Sequence, residues 1–112
     1  MKDLENLWEK VRLLEYHQKL LVKLTKNPEL EFLRLIIENG LSEQEVEDIL
    51  TLCDKLNKKY ADQKADGYLY FHPLLEEFTD ALPTNLDTQS VIKACITQGL
   101  YMPLFQEFSK YL

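Results

Sequence analysis

The sequence predicts an all-α fold: a compact multi-helical domain of about five or six helices with a long N-terminal helix. Three observations carry this expectation. Apolar residues recur three and four positions apart along most of the chain, which gathers them on one face of a helix turning every ~3.6 residues. Only three glycines and four prolines interrupt its 112 residues, and each falls where a helix boundary is expected. No strand-rich stretch appears between them.

The first helix is expected over Asp3 to Lys26, closed by Asn27-Pro28 because a residue before proline is pushed out of the α region. A second is expected to begin at Pro28, whose fixed φ suits the first helical position, and to stop at Gly40. There "IIENGLSEQEV" carries full local instructions. Gly40 can adopt the left-handed conformation that ends a helix while Leu41 folds back on Ile36. Ser42 then caps a third helix, with Glu45 completing a capping box. That helix is expected to bury Val46, Ile49, Leu50, Cys53, Leu56 and Tyr60. Glu43, Glu45, Glu47 and Asp48 crowd its start and Lys55, Lys58, Lys59 and Lys64 its end, which complements the helix dipole at both termini.

Beyond Gly67 an aromatic connector, Tyr68 to Phe71, leads to a helix from about Pro73 to Leu82, with Tyr68, Leu69 and Phe71 expected to pack down. Pro83-Thr84-Asn85 breaks that helix. Asp87 caps a fifth, whose Val91, Ile92, Cys95 and Ile96 face inward and which closes at Gly99-Leu100. The strings "IIENGL" and "CITQGL" thus reuse one capping device. A last helix carries Leu104, Phe105, Phe108, Tyr111 and Leu112.

Composition bounds what such a fold does. With 46% hydrophobic and 29% charged residues, the chain reads as one packed domain over residues 1–112. Its net charge of −6 repels nucleic acid and anionic membrane, and no strongly basic arm offsets it. The N-terminal "MKDLENLWEK" lacks the apolar core of a signal peptide, and no apolar run approaches the ~20 residues that span a bilayer. A cytoplasmic protein is expected. Two cysteines, Cys53 and Cys95, are too few for a disulfide framework and fall on apolar helix faces, as buried thiols do; a single bond between them stays open.

One stretch looks like chemistry. In "DQKADGYLYFHP", Asp62 to Pro73, placing Gly67 at the glycine position of a calcium-binding loop puts Asp62, Asp66 and Leu69 in matching places. Lys64 then occupies a ligand position and Pro73 stands where a bidentate carboxylate belongs, so two of the four side-chain ligands are missing. A helix end followed by an Asp-Gly turn explains the same letters. His17 and His72 have no second ligand at zinc spacing. The three serines fit no nucleophile motif. Glu76 and Glu77, as helix neighbours, point about 100° apart and cannot converge on one substrate atom. Lys55, Lys58 and Lys59 are accounted for by the helix end they occupy. The expectation is no catalytic, cofactor or metal site.

The first helix is the unusual element. Leu4, Leu7, Trp8, Val11 and Leu14 form one stripe in its N-terminal half. Leu13, Leu20, Leu21 and Leu24 form another, rotated by roughly a third of a turn. One straight helix therefore asks for burial on two sides. A helix curving through its own core is one account of this. The other is that the later half packs on the domain while Leu4, Leu7, Trp8, Val11 and Leu14 pack on another subunit. Leu4, Leu7, Val11, Leu14, Gln18 and Leu21 also keep a heptad rhythm, with Gln18 at an a position where it fixes register.

The segments "LEYHQKLLVK", "GLSEQEVEDILTLCDKL", "QKADGYLYFHPLLEEF" and "QGLYMPLFQEF", in this order and spread over nearly the whole chain, resemble the YhaI-like family of small uncharacterised proteins from Bacillus-type bacteria. The resemblance implies an all-helical cytoplasmic protein that assembles into homo-oligomers, and it brings no activity or functional residue with it. The leading expectation is accordingly a non-enzymatic homo-oligomer, dimer or trimer, acting through protein contacts as an adaptor or regulatory subunit. The alternative is a small-ligand sensor with a pocket between helices. Tyr60, Tyr68, Tyr70 and Phe71 are the candidate partner or pocket surface.

Overall fold

A computed structural model describes residues 2–112, and among them it contains six helices and no strand. They are α1 (Lys2–Lys26), α2 (Glu31–Glu38), α3 (Glu43–Ala65), α4 (His72–Ala81), α5 (Thr88–Gln98) and α6 (Met102–Ser109). The later half of α1 packs on α2, α2 on α5, α5 on α6, and α3 on both α4 and α6. The core where these meet is aromatic. Phe78, Phe105 and Phe108 are fully buried, with ring centroids 5.5, 5.7 and 5.9 Å apart. Each such pair adds roughly 0.5–1.5 kcal/mol beyond its buried area.

Local signals place the boundaries. The Ser42 Oγ accepts from the Glu45 N–H at 3.2 Å while the Glu45 carboxylate accepts from the Ser42 N–H at 3.0 Å, the reciprocal box the sequence predicts. Asp87 caps α5 through Ser90. The ends of α2, α3 and α5 share one geometry: Gly40, Gly67 and Gly99 have φ of 63, 92 and 80°, and the next residue's N–H reaches five residues back. Those bonds are Leu41 to Ile36 at 3.0 Å, Tyr68 to Gln63 at 2.9 Å and Leu100 to Cys95 at 2.8 Å. The device shared by "IIENGL" and "CITQGL" therefore has a third use at the end of α3.

Several expectations are corrected. Helix α2 starts at Glu31 rather than Pro28. The Asn27 side chain accepts from the Glu29 N–H at 3.1 Å and its carbonyl from the Leu30 N–H, so the chain first makes an Asn-anchored turn. The N-terminus of α2 is then covered from afar, by the Gln98 carboxamide oxygen accepting from the Phe32 N–H at 2.9 Å. Of the connector, only Phe71 packs down; Tyr68 is half exposed and Leu69 is 92% exposed. Leu50 and Ile96 are partly rather than fully covered, and α6 ends at Ser109, leaving Tyr111 and Leu112 in the turn beyond it.

Candidate interaction surface

Helix α1 sits on the molecule by one face of its later half. Leu20 is buried, Leu13, Tyr16, His17 and Leu24 are partly covered, and His17 Nε2 lies 2.8 Å from the Leu41 carbonyl, tying the helix to the corner between α2 and α3. Burial, and then the Glu43 and Glu47 carboxylates at the start of α3, push the Tyr16 phenol above its ordinary pKa, an electrostatic sign that this face looks onto α3. By contrast every residue from Lys2 to Lys10 is exposed.

The opposite face is apolar and bare. Leu4, Leu7, Trp8 and Leu14 are 56, 57, 62 and 67% exposed, and Val11 between them is only partly covered. Leu21 and Val22 carry the same stripe past the point where the helix joins the domain. At about 100° per residue this stripe is centred roughly 150° from the domain-facing side. That placement moves Leu21 from the domain-facing set to the outward one. It also makes the uncovered stripe run the length of the helix rather than its first half. Val22 escaped the sequence reading although its signal was present, since it repeats Trp8 and Glu15 at the e position of the heptad beside the a and d residues.

The second candidate group separates into two. Tyr60 and Phe71 are buried against each other, with centroids 4.7 Å apart. Tyr70 instead faces outward and stacks on His72 at 5.9 Å, with Tyr111 edge-on to both rings. Tyr68 stands in solvent beside Leu69. Tyr111, absent from the candidate set, anchors this arrangement: its hydroxyl accepts from the Phe71 N–H at 3.0 Å. His72 Nδ1 lies 3.1 Å from Glu76 Oε1.

The stretch with the look of a calcium loop is two helix ends. Asp62, Lys64 and Ala65 belong to α3, His72 and Pro73 to α4, and the Asp66 N–H still bonds the Asp62 carbonyl at 3.0 Å. Among the described residues, no three His, Cys, Asp or Glu side chains gather closely enough to hold a metal ion. No described helix is long and apolar enough to cross a membrane. Cys53 and Cys95 are both buried, and burial pushes each thiol up to about 12. Cys95 is raised further by Cys53, and both thiols lie in the one buried core.

A family model described as a protein of unknown function, DUF1878, matches residues 4–112. The chain belongs to that family, whose description assigns it no activity.

Proposed function

We propose that this member of the family is a non-enzymatic interaction subunit that assembles with copies of itself through the outward face of α1. The observation that supports this is the row of Leu4, Leu7, Trp8, Leu14, Leu21 and Val22, every one of them exposed. Apolar side chains scattered singly on a surface need no explanation, but a continuous helical stripe of them marks a contact surface. Assembly gives each copy what its own domain does not provide, a cover for that stripe, with charged residues left at the rim as interfaces prefer.

The assembled protein then presents the connector as a second surface. Tyr68, Leu69 and Tyr70 project beside a stem held by the Tyr111 bond to Phe71 and the stack of Tyr70 on His72, a small exposed apolar patch suited to a different protein.

Sedimentation equilibrium at tens of micromolar tests the first part. The expected mass is two or three times the 13.2 kDa of one chain. A mass of one chain overturns the proposal. Trp8→Glu should shift the protein to monomers, because a charge buried without a partner costs about 3–5 kcal/mol. Replacing Tyr68, Leu69 and Tyr70 together by alanine should leave the assembled mass unchanged, since the connector is not part of the α1 stripe.

A further inference from the structure

We infer that the copy covering α1 is a second α1 lying parallel to it and in register, with Lys10 of each chain paired to Glu15 of the next. This inference rests on the self-association proposed above and specifies its geometry. Its starting point is the heptad. Leu4, Val11 and Gln18 take a positions and Leu7, Leu14 and Leu21 take d positions. Trp8, Glu15 and Val22 then fall at e, and Asp3, Lys10, His17 and Leu24 at g.

Two features of this frame choose the orientation. The first is charge at the positions flanking the seam. A g residue in a parallel pair meets the e residue five positions later on its partner, which sets Lys10 against Glu15 and brings no like charges together. Both side chains are exposed, and among the described residues neither makes an ion pair within its own chain. An antiparallel pair instead matches g with g and e with e, leaving Lys10 near His17 and Glu15 near Trp8.

The second feature is Gln18, the one polar residue in the row. Parallel and in register, its carboxamide faces the same carboxamide of the partner, and both find hydrogen-bond partners. The antiparallel register that pairs Leu4 with Leu21 and Val11 with Leu14 sets Gln18 against Leu7, where a desolvated amide has none. Parallel alignment is therefore the arrangement in which every seam residue meets its like.

The charge gradient along α1 points the other way, with Asp3, Glu5 and Glu9 early and Lys19, Lys23 and Lys26 late. It is the weaker effect. Apart from Asp3, these residues occupy b and f positions away from the seam, and exposed charges about 10 Å apart are largely screened at physiological salt. The fold also leaves room for parallel neighbours. The domain packs on the side of α1 roughly 150° from the stripe, so each copy carries its bulk outward from a shared stem. All copies then show their Tyr68–Leu69–Tyr70 connectors with the same sense along that stem, which lets one partner protein engage more than one of them.

Charge exchange and cross-linking test the orientation. Lys10→Glu and Glu15→Lys should each raise the dissociation constant about 5-fold or more by setting like charges together, and the double exchange should restore it toward wild type. Under mild oxidation Leu4→Cys should give a covalent dimer, because residue 4 meets residue 4 only in a parallel register; the buried Cys53 and Cys95 leave the parent protein as a clean control. Covalent dimers that form only when Leu4→Cys is combined with Leu21→Cys would overturn the parallel arrangement while leaving self-association intact, as would a double charge exchange that adds the two single defects. A parent protein that sediments as a monomer would remove both proposals at once.

Discussion

Cys53 and Cys95 show at the scale of single residues how burial sets chemistry. Each thiol is pushed up to about 12 from an ordinary value of 9.0, by burial first, with Asp54 adding to Cys53 and Cys53 adding to Cys95. The fold therefore holds the protonated form. Below pH 9 both the folded and unfolded chains keep these protons, and the contribution to stability is complete. As pH rises toward 12 the unfolded chain loses protons that the folded chain retains, and the native state should weaken by about 1.4 kcal/mol per pH unit for each thiol. Urea midpoints taken between pH 8 and 11 measure this slope, and Cys53→Ala with Cys95→Ala should flatten it relative to the parent. Alkylation of the native protein at neutral pH should be slow and should track global unfolding, since thiolate is scarce and access is closed. Rapid modification of either thiol in native buffer would contradict the burial on which this rests.

Elements, in this chain, are bounded by caps whose signals are local, and those were legible in the sequence. Ser42 with Glu45, Asp87, and the three left-handed glycines specify their helix ends from a few neighbouring letters. Gly99 offers a clean measure of one of them. No atom lies within 4 Å of a Cβ added there, so Gly99→Ala meets no clash and the cost is that of the backbone at φ 80° alone. Thermal or urea unfolding should register about 1–2 kcal/mol of destabilisation. A neutral result would mean that the turn relaxes when substituted. What the sequence hid depends on distant partners. The start of α2 is decided by Asn27 together with Gln98, whose carboxamide arrives from α5 and has no counterpart in local pattern. Tyr68 and Leu69 read as core because they are apolar and lie close to Phe71 in the sequence, yet Phe71 takes the buried place beside Tyr60 and leaves both of them outside. In the candidate interface, the heptad letters of α1 were visible from Leu4 to Leu21. Which side of Leu21 faced the domain required knowing that Leu20, Tyr16 and His17 were already committed to it.

For the whole molecule the shape carries the argument. A compact chain of this length has a radius of gyration of about 13 Å, whereas this one has 16.0 Å and extends over 54 × 34 × 21 Å. Much of the excess is α1, which at 25 residues is about 37 Å long and reaches past the domain by its first turns. Residues 2–10 bury no side chain, so within one chain their contribution to the stability of the domain is small. Deleting them separates the two roles the helix could serve. The shortened protein, compared with the parent at concentrations low enough to dissociate the assembly, should unfold in urea with a midpoint stability within about 0.5 kcal/mol and a nearly equal slope, because little buried surface has been removed. At tens of micromolar the same deletion should abolish the assembled mass, since Leu4, Leu7 and Trp8 leave with it. A large loss of stability in the dilute, dissociated protein would instead place these residues in their own domain's core, and the stripe would then have no need of a second copy.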